Sequence, residues 1–575
     1  MIKRLAKCIR QYKWPAILSP VCMTGEVAME MLIPLVMTKL YDDGIALQDM
    51  GCILRQSLWL VLCAAASLTF GILSAVFASK AATGFAKNLR HDMYHHVQRF
   101  SFSNIDKFSS SSIVTRLTSD VANLQMTFQM MIRMTIRCSM MLVLALFMAL
   151  RISTRLSTIY LVAIPTLVLA LVCLTPVVFK IFDRVFKTYD KLNNVVQENV
   201  RGIRVVKSFV REKKETEKFQ NISGSIYKDF CKAEKILALN NPIMQLCVYA
   251  CMLSISWVGA HMVVESSLTT GQLSAMFTYT TQILSSLMMF SMVFVMMTLS
   301  RAPMRRCYEI LTEEPDLVSP EGGVQAVTDG SIDFENVSFR YSATAQHRAL
   351  KEVDLHIPAG ATVGILGGTG SSKTTLVQLI PRLYDVSEGS LKVGGVDVRD
   401  YDLTALRDQV AMVLQKNELF SGTIKENLRW GNANATDEEL VHACRLACAH
   451  DFIQSFPDGY DTHIEQGGTN VSGGQKQRLC IARALLKKPK ILILDDSTSA
   501  VDTRTDASIR QAFREEIPNT TKLIIAQRVA SVQDADLIVV LDNGQIAAVG
   551  NHTELLKTSH IYREVYESQR KGGDE

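Results

Sequence analysis

Residues 367–375, with the sequence GGTGSSKTT, form a glycine-rich stretch whose composition suits phosphate binding. They follow the aliphatic residues 363–366 and precede the apolar residues 376–383, a pattern that predicts a strand, a tight turn and a helix. Such a turn gathers backbone N–H groups around an anion, and the helix dipole favours the negative charge. Lys373 would reach the β- and γ-phosphates of a nucleotide, and Thr374 would hold Mg²⁺. The alternative is an ordinary Gly/Ser turn before a helix. The predicted phosphate contacts are Gly367, Gly368, Thr369, Gly370, Ser371, Ser372, Lys373, Thr374 and Thr375.

A second stretch, residues 471–502, combines a Ser-Gly-Gly-Gln turn, a basic helix predicted over 476–486, and the aliphatic residues 491–494. So pure an aliphatic run is typical of a strand that is buried on both faces of a parallel sheet. Asp495 would then lie at the carboxyl end of that strand, where open α/β sheets bind ligands, and would share the Mg²⁺ with Thr374. Because both stretches occur in one chain, a nucleotide-binding domain is favoured over an ordinary turn.

With these motifs the chain resembles an ATP-binding cassette (ABC) exporter half-transporter, and the resemblance covers essentially its whole length. The sequence VSGGQ differs from the family signature LSGGQ by one conservative change. The resemblance implies a transport ATPase that uses ATP and Mg²⁺ and forms a dimer with a second half-transporter, whose ATP site this chain's signature completes. It also implies that Tyr341 stacks on adenine, that Gln415 contacts Mg²⁺ and the attacking water, and that Asp502 is a further nucleotide contact. The signature contacts would be Ser472, Gly473, Gly474 and Gln475.

The overall composition agrees with a membrane protein of two large domains. A chain of 575 residues exceeds a single hydrophobic core, and 48% hydrophobic with 20% charged residues is apolar for a wholly soluble protein. The formal net charge of +5 is small for a dedicated nucleic-acid binder, so no nucleic-acid partner is expected. The 13 cysteines are scattered without a CxxC pair, which favours reduced thiols and no metal site built from cysteine and histidine.

The N-terminal half predicts an all-α transmembrane domain, residues 1–314, with six helices that extend far into the cytoplasm. Each span has roughly the ~20 apolar residues that a bilayer requires. Basic residues before the first span place the N-terminus in the cytoplasm at the cell membrane, and the nucleotide-binding domain with it. A signal peptide is the alternative for the first span, but the length of the segment and its two glutamates oppose that interpretation. The predicted spans are 16–38, 53–79, 135–150, 157–179, 242–264 and 273–299.

The connections between the predicted spans are asymmetric. The outer loops are short, whereas the inner connections, 80–134 and 180–241, are long, polar and helix-forming. Within them, residues 100–124 and 197–212 resemble the family's coupling helices, which touch nucleotide-binding domains. The alternative for each is a solvated amphipathic helix, which is compatible with docking on a partner.

Four charged residues stand out in or near the predicted spans, where charges are costly and usually face a bundle interior or a water-filled cavity. Glu26 and Glu30 lie one helical turn apart on the first span, and Arg133 and Arg137 lie one turn apart near the third. At ~1.5 Å per residue, Arg137 and Glu26 have similar depth. Two interpretations stay open. One is an internal ion pair; the other is a cavity site, built by Glu26, Glu30 and Arg137, for cationic groups of an amphipathic drug, lipid or peptide.

The C-terminal half predicts a linker, 315–330, and an α/β P-loop nucleotide-binding domain, 331–575, with a helical subdomain around 437–455. Residues 331–341 alternate between apolar and polar side chains and are predicted as an edge strand that ends at Tyr341. A tyrosine that ends a strand is more often structural than adenine-binding, so its role depends on the family resemblance.

Three residues depart from the family pattern, all in the half-site that holds the phosphate loop. Asp496 stands where active relatives carry a glutamate that positions or deprotonates the attacking water. Its side chain is shorter than glutamate by one methylene, roughly 1.5 Å. Such a difference matters because a displacement of ~1 Å can cost about a hundredfold in rate. Gln527 replaces the switch histidine and cannot take a proton near neutral pH. Ser372 replaces the second glycine of the phosphate loop, where a side chain crowds the backbone.

Together these departures predict a degenerate, ATP-holding site in a heterodimer, whose partner supplies the normal glutamate and histidine. Two alternatives stay open. One is a homodimer that hydrolyses ATP slowly at two equal sites, and the other is a nucleotide-gated channel or regulatory subunit.

Overall fold

The computed structural model describes residues 1–342, 347–497 and 501–571, without the side chains of 170–172, 174–179, 183, 186, 190, 237, 240, 241 and 571. The chain forms two compact units. The helical unit comprises Met1–Gln98 and Ser110–Glu313, and the α/β unit comprises Arg99–Ser109 and Glu314–Glu575. The short segment Arg99–Ser109 therefore packs with the α/β unit, although the sequence places it inside the first domain.

Long helices dominate the N-terminal half of the chain. They are α1 (Ile2–Ala6), α2 (Lys13–Lys39), α3 (Met50–Gln98), α4 (Phe102–Phe108), α5 (Ser110–Thr115), α6 (Val121–Met130), α7 (Ile136–Ile152), α8 (Thr154–Arg201), α9 (Ile203–Ser208), α10 (Glu212–Ala238), α11 (Asn240–Val264), α12 (Thr270–Leu299) and α13 (Arg301–Thr312). Short segments of 3₁₀ or π geometry at Lys7–Tyr12, Leu40–Ile45, Arg116–Asp120 and Met131–Thr135 join several of them. Local capping fixes where helices begin: the side chain of Thr269 starts α12 by accepting the N–H of Gln272, whose own side chain bonds back to the Thr269 N–H.

Five helical stretches of the described residues are long and apolar enough to cross a membrane: Ile2–Ile45, Met50–Gln98, Ser110–Ile152, Pro242–Val264 and Thr270–Thr312. The predicted spans 16–38, 53–79, 135–150, 242–264 and 273–299 lie within these stretches. The predicted span 157–179 lies on α8, whose described apolar part, Thr154–Leu169, is shorter. Its residues 170–172 and 174–179 lie outside the described side chains.

The outer surface of these helices is apolar. For example, Leu161, Leu253 and Trp257 are 75%, 71% and 74% exposed. An exposed apolar surface of this extent is unusual for a protein surrounded by water. Buried hydroxyls stabilise the contacts between helices inside the bundle. The Tyr279 hydroxyl donates to the Met31 carbonyl at 2.8 Å, and the hydroxyls of Tyr160 and Thr280 share a hydrogen bond of 2.7 Å. These bonds join α12 to α2 and to α8.

The α/β unit contains short strands and helices that alternate along the chain. Its strands in the described residues are β1 (Ile332–Phe339), β2 (Leu350–Ile357), β3 (Thr362–Gly367), β4 (Glu388–Val393), β5 (Val396–Asp397), β6 (Val410–Val413), β7 (Gly422–Thr423), β8 (His463–Ile464), β9 (Ile491–Asp495), β10 (Thr521–Ile525), β11 (Leu537–Asp542) and β12 (Gln545–Gly550). Its helices after α13 are α14 (Lys373–Leu379), α15 (Leu403–Gln409), α16 (Ile424–Arg429), α17 (Asp437–Leu446), α18 (His450–Gln454), α19 (Gly473–Leu485), α20 (Thr503–Glu516), α21 (His552–Thr558) and α22 (His560–Lys571).

A largely parallel sheet places the two predicted chemical stretches side by side. In the described part of the chain its strand order is β12-β11-β3-β10-β9-β6, with β12 antiparallel to its neighbour. β10 lies between β3 and β9 and is parallel to both, so Gly367 and Asp495 end their strands at the same edge of the sheet. All residues of β9 are buried, as its aliphatic sequence predicts.

The prediction that residues 331–341 form an edge strand is wrong. β1 pairs with β2 on one side and with β4 on the other, in a sheet of order β2-β1-β4-β5 among the described strands. Its alternating sequence reflects an antiparallel sheet with one buried face, which an interior strand shows as readily as an edge strand.

The segment 315–330 packs against the α/β unit. The Val324 N–H donates to the Asp400 carbonyl at 2.9 Å, the Asp402 N–H donates to the Val324 carbonyl at 3.1 Å, and Val327 is only 3% exposed. This segment therefore extends the nucleotide-binding fold and is not a free tether.

Candidate nucleotide-binding site

The phosphate loop connects β3 to α14 at the carboxyl edge of the parallel sheet. The helix begins at Lys373, earlier than the predicted 376, and ends at Leu379. The Lys373 ammonium donates to the carbonyls of Gly367 at 2.8 Å and Gly368 at 2.9 Å, so it folds back over the loop. Burial lowers the pKa of this ammonium, against the opposing effect of the nearby aspartates. The cation is thus held against the loop that the sequence predicts to bind phosphates.

Backbone geometry explains why this loop needs small residues. A Cβ at Gly367 would lie 2.2 Å from the Leu541 carbonyl oxygen, so no side chain fits there. Ser372 has φ of 72° and ψ of 25°, which is the left-handed region that glycine adopts without strain. The residue that departs from the glycine pattern therefore occupies the conformation for which glycine is best suited.

Thr374 and Asp495 meet at the end of β9. The Thr374 hydroxyl donates to Oδ1 of Asp495 at 3.0 Å, and Asp495 is only 2% exposed. Burial raises the pKa of the Asp495 carboxyl, and the Thr374 hydroxyl acts in the opposite direction. A hydroxyl beside a desolvated carboxylate suits Mg²⁺, which favours hard oxygen ligands. The residues present therefore fit the ion, and Thr374 and Asp495 would hold it.

Two amide side chains converge on one oxygen of Asp496. Nε2 of Gln527 donates to Oδ2 at 2.8 Å, and Nε2 of Gln415 lies 3.4 Å from the same oxygen. Asp496 itself has a left-handed backbone, with φ of 48°. The structure thus brings together Asp496, Gln415 and Gln527, which the sequence predicts around the attacking water.

Tyr341 lies next to the phosphate-loop helix. Its hydroxyl shares a hydrogen bond of 2.9 Å with the hydroxyl of Thr375, and the residue is 50% exposed. Phe339 and Tyr384 contact the tyrosine ring edge-on, with centroids 4.9 Å and 5.2 Å away. The ring is anchored at its edge and its hydroxyl, and half of its surface stays open for a base.

The signature turn opens α19, as the sequence predicts, but the helix begins at Gly473 and not at 476. The Ser472 hydroxyl oxygen accepts the Gln475 N–H at 3.3 Å, and the Gln475 side chain accepts the Ser472 N–H at 2.9 Å. Ser472 and Gly473 are exposed. Because the hydroxyl oxygen is the acceptor in this cap, its proton remains available to a phosphate. In the described residues no hydrogen bond joins the signature to this chain's own phosphate loop.

Asp502 starts α20 as its N-cap. Its side chain accepts the Thr505 N–H at 3.0 Å, and this bond lowers the pKa of the carboxyl. The structure gives the residue a capping role, and residues 498–500 before it lie outside the described residues.

Comparison with known proteins identifies the two units. Residues 16–288 match the family described as ABC transporter transmembrane region, and residues 350–499 match the family described as ABC transporter. The chain is 36% identical over 568 residues to the uncharacterized ABC transporter ATP-binding protein YfiB of Bacillus subtilis (strain 168), with 98% of each chain covered. The chain belongs to the ABC transporter family.

Two further similarities cover the whole length. The half-transporter is 31% identical over 573 residues to the ATP-dependent lipid A-core flippase of Desulfotalea psychrophila, with 99% of each chain covered. A solved bacterial Atm1-family ABC exporter with ATP bound is similar in fold, with a TM-score of 0.83, 25% identity and 98% of each chain covered. The predicted fold class, the class of transport ATPase and the membrane location with a cytoplasmic ATPase domain are confirmed.

The ABC half-transporter carries a contact that sequence reasoning missed. The short helix α4 packs with the ATPase domain, and the Tyr384 hydroxyl donates to Oδ2 of Asp106 at 2.8 Å. The Phe102 ring lies 6.1 Å from the Tyr384 ring. Tyr384 also contacts Tyr341, so one aromatic side chain joins the predicted adenine platform to the first coupling region. In the sequence, the one sign of this contact is that an aromatic residue, Tyr384, follows closely after the phosphate-loop helix.

The second coupling region, 197–212, ends α8 and includes α9. Its apolar side chains Val205, Phe209 and Val210 are 60%, 71% and 79% exposed. Such an exposed apolar tip is typical of a surface that docks on a partner.

The charged residues of the membrane domain form a cluster. Nη1 of Arg137 donates to Oε1 of Glu26, and Nη2 donates to both carboxylate oxygens of Glu30, at 2.8 Å and 3.0 Å. Glu26 is 9% exposed, and among the residues that the structure describes its Oε2 is buried without a hydrogen-bond partner. Arg133 lies outside the cluster: in the described residues it forms no hydrogen bond or ion pair, and its Nε is buried. The ion-pair interpretation agrees with this geometry and extends to both glutamates.

Proposed function

We propose that this chain is one subunit of an ATP-driven exporter. It binds ATP and Mg²⁺ at a site of low hydrolytic activity, and its signature completes the hydrolytic site of a different half-transporter. The single observation that carries the proposal is the pair of amides, Gln527 and Gln415, that face one oxygen of Asp496. The family membership and the fold support the ATPase reaction itself.

The chemistry of the Asp496 carboxylate explains the low activity. A general base must lie within hydrogen-bond reach of the attacking water, and it must be free to take or orient a proton. Asp496 is one methylene shorter than glutamate, and one of its oxygens is directed at two amide donors. Neither amide can take a proton near neutral pH. The site therefore keeps its binding groups, Lys373, Thr374 and Asp495, while its proton-transfer groups are weakened.

The signature supports a role in a partner's site. Ser472 and Gly473 are exposed at the start of α19, a helix long enough to present a dipole to an anion. Its donors stabilise the charge that develops on the transferred phosphoryl group of a nucleotide bound by the partner. Half-transporters of this family form dimers, and the exposed tip at Val205, Phe209 and Val210 offers a second surface for that partner.

The transported substrate is proposed to be amphipathic. The membrane domain combines apolar helices with a cluster of one guanidinium and two carboxylates, so both apolar and charged parts of a substrate find complementary groups. A lipid is favoured among drugs, lipids and peptides, because a relative similar over the whole chain is named a lipid A-core flippase.

The test is to co-express this chain with candidate partner half-transporters from the same genome, purify any complex that forms, and measure both its ATPase rate and transport into inverted vesicles. We expect one chain of each kind in the complex and substrate accumulation above its equilibrium level. A homodimer with full activity would overturn the heterodimer. Passive flux that never exceeds equilibrium would overturn the exporter and favour a nucleotide-gated channel.

A further inference from the structure

The last described helix, α22, reaches residues 526–529, which follow β10 and include Gln527; we call them the switch loop. Oε1 of Gln569 accepts the N–H of Val529 at 2.8 Å, and Nε2 of Gln569 donates to the carbonyl of Gln527 at 2.8 Å. One side-chain amide thus makes two hydrogen bonds to backbone groups two residues apart, as a neighbouring strand would.

The helix that carries Gln569 is held in place independently of these bonds. Tyr562 is 1% exposed in the domain core, and its hydroxyl lies 2.7 Å from Nδ1 of His552 on α21. The Arg563 guanidinium donates to the carbonyls of Leu556 and Lys557, both at 2.7 Å. These contacts hold the start of α22 in the domain without any help from Gln569, so the helix can carry Gln569 to the switch loop.

One of the two groups that Gln569 bonds belongs to Gln527, a residue of the site, and the other lies two positions further along the chain. The backbone carbonyl of Gln527 is fixed by Gln569, while the side chain of the same Gln527 donates to Asp496. Val529 is 2% exposed and anchors the other end of the loop. Fixing the Gln527 carbonyl and the Val529 N–H sets the backbone orientation between them, and therefore the direction in which the Gln527 side chain leaves the chain.

We propose that Gln569 is a positioning residue for the ATP site, and that the C-terminal helix sets the switch loop so that Gln527 stays on Asp496. The inference rests on the proposed function in that ATP occupies this site. Displacement of α22 would release Gln527 from Asp496 and would change how long the site holds its nucleotide.

The experiment uses the full chain with its co-purified partner, in nanodiscs. The variants are Gln569→Ala, Gln527→Ala and the double variant, with Glu567→Ala as the control on the same helix, since Glu567 makes no hydrogen bond or ion pair in the described residues. The first measurement is amide hydrogen exchange in the peptide that contains Val529, without nucleotide. The second is the dissociation rate of labelled Mg·ATP from the complex.

Gln569→Ala is expected to speed exchange at Val529 about 2- to 12-fold, the range for loss of the one neutral hydrogen bond that the Val529 N–H donates, and to change Mg·ATP dissociation by a similar factor. In the Gln527→Ala background it should change dissociation no further, because Gln569 acts through Gln527. Glu567→Ala should match the unmodified chain in both measurements.

Three outcomes overturn the inference: unchanged exchange at Val529, unchanged dissociation, or an effect that adds fully to that of Gln527→Ala, which would indicate general destabilisation. A complex that retains no ATP at this chain would instead contradict the proposed function. It would also remove the part of the inference that concerns Mg·ATP dissociation. The exchange measurement needs no nucleotide, so the two failures are distinguishable.

Discussion

Gln527 donates its side-chain N–H to Oδ2 of Asp496 at 2.8 Å, and this bond joins two of the three residues that depart from the family pattern. A histidine at the switch position could exchange a proton with its surroundings, whereas an amide only donates and accepts hydrogen bonds. The two substitutions therefore form one hydrogen-bonded pair. That arrangement suits a site that holds a nucleotide.

The first prediction concerns Asp496→Asn. If this site contributes little to turnover, the ATPase rate of the purified complex at saturating ATP should stay within about twofold of the unmodified rate, because the carboxylate is not the working base. A homodimer that hydrolyses at its own Asp496 would lose nearly all activity. That result would contradict the degenerate site.

The second prediction concerns Ser372→Gly. A non-glycine residue in the left-handed region costs about 1–2 kcal/mol, and glycine's greater freedom in the unfolded chain offsets about 0.5–1 kcal/mol of this. We expect a net gain of about 0.5–1 kcal/mol in the free energy of unfolding, seen as a rise of about 1–4 °C in the Tm without nucleotide. Ser371→Gly is the matched control.

Ser371 is 4% exposed and its Oγ lies 3.4 Å from the Lys373 ammonium. Its replacement by glycine should lower the Tm or leave it unchanged. A fall in the Tm of Ser372→Gly would show that the serine side chain contributes more than its backbone strain removes.

Local patterns predicted the elements whose causes are local. The aliphatic run of β9, the turn before α14 and the cap of α19 each follow from residues within a few positions of one another. Pairing was not predictable in the same way, because the alternation of β1 records which face is buried and not how many neighbours the strand has.

The missed contacts join distant parts of the chain. Tyr384 and Asp106 are 278 positions apart, and Gln569 and Val529 are 40 apart. No local periodicity signals such a bond. Only the folded geometry shows that a tyrosine after the phosphate-loop helix meets a coupling helix, or that an exposed glutamine meets the switch loop.

The third prediction orders the variants of the two half-sites. Under the proposed function, Ser472→Ala or Gly474→Asp should reduce the ATPase rate of the complex by about 10²-fold, because loss of a donor or crowding at the signature would affect the partner's site. Lys373→Ala should have an intermediate effect, because it weakens the ATP held by this chain and not the chemical step. The rates are measured at saturating ATP, and equal effects for Ser472→Ala and Lys373→Ala would refute this order.

The fourth prediction concerns Tyr384→Phe, which removes the hydrogen bond to Asp106 and keeps the ring beside Tyr341. We expect transport per ATP hydrolysed to fall several-fold while ATP affinity is unchanged, since a hydrogen bond to a charged group contributes about 1.5–3 kcal/mol. Burial, and then the bond to Asp106, raises the pKa of the Tyr384 hydroxyl. The hydroxyl therefore stays protonated through the neutral and mildly basic range, and the defect should not change between about pH 6 and 9.

Asp106→Asn is the control for that contact, because its side-chain oxygen still accepts the Tyr384 hydroxyl. It should couple transport to ATP hydrolysis better than Asp106→Ala. Normal coupling in Tyr384→Phe would show that the helix docks through its other contacts.

The fifth prediction concerns the Arg137 cluster. Arg137→Met leaves the carboxylates of Glu26 and Glu30 without their shared cation inside the membrane domain, and breaking a buried pair in this way costs about 3–5 kcal/mol. Neutralising Glu26 and Arg137 together still leaves Glu30 without a partner. The balanced variant is therefore the triple one, Glu26→Gln, Glu30→Gln and Arg137→Met, which should recover most of the lost stability because it removes every charge of the cluster.

Arg133→Met is the control for loss of one arginine from the same helical stretch, and it should have the smallest effect, since Arg133 forms no ion pair in the described residues. The measurement is the Tm and the yield of monodisperse protein in one detergent, and a triple variant as unstable as Arg137→Met would show that the guanidinium stabilises the bundle through contacts other than these two carboxylates.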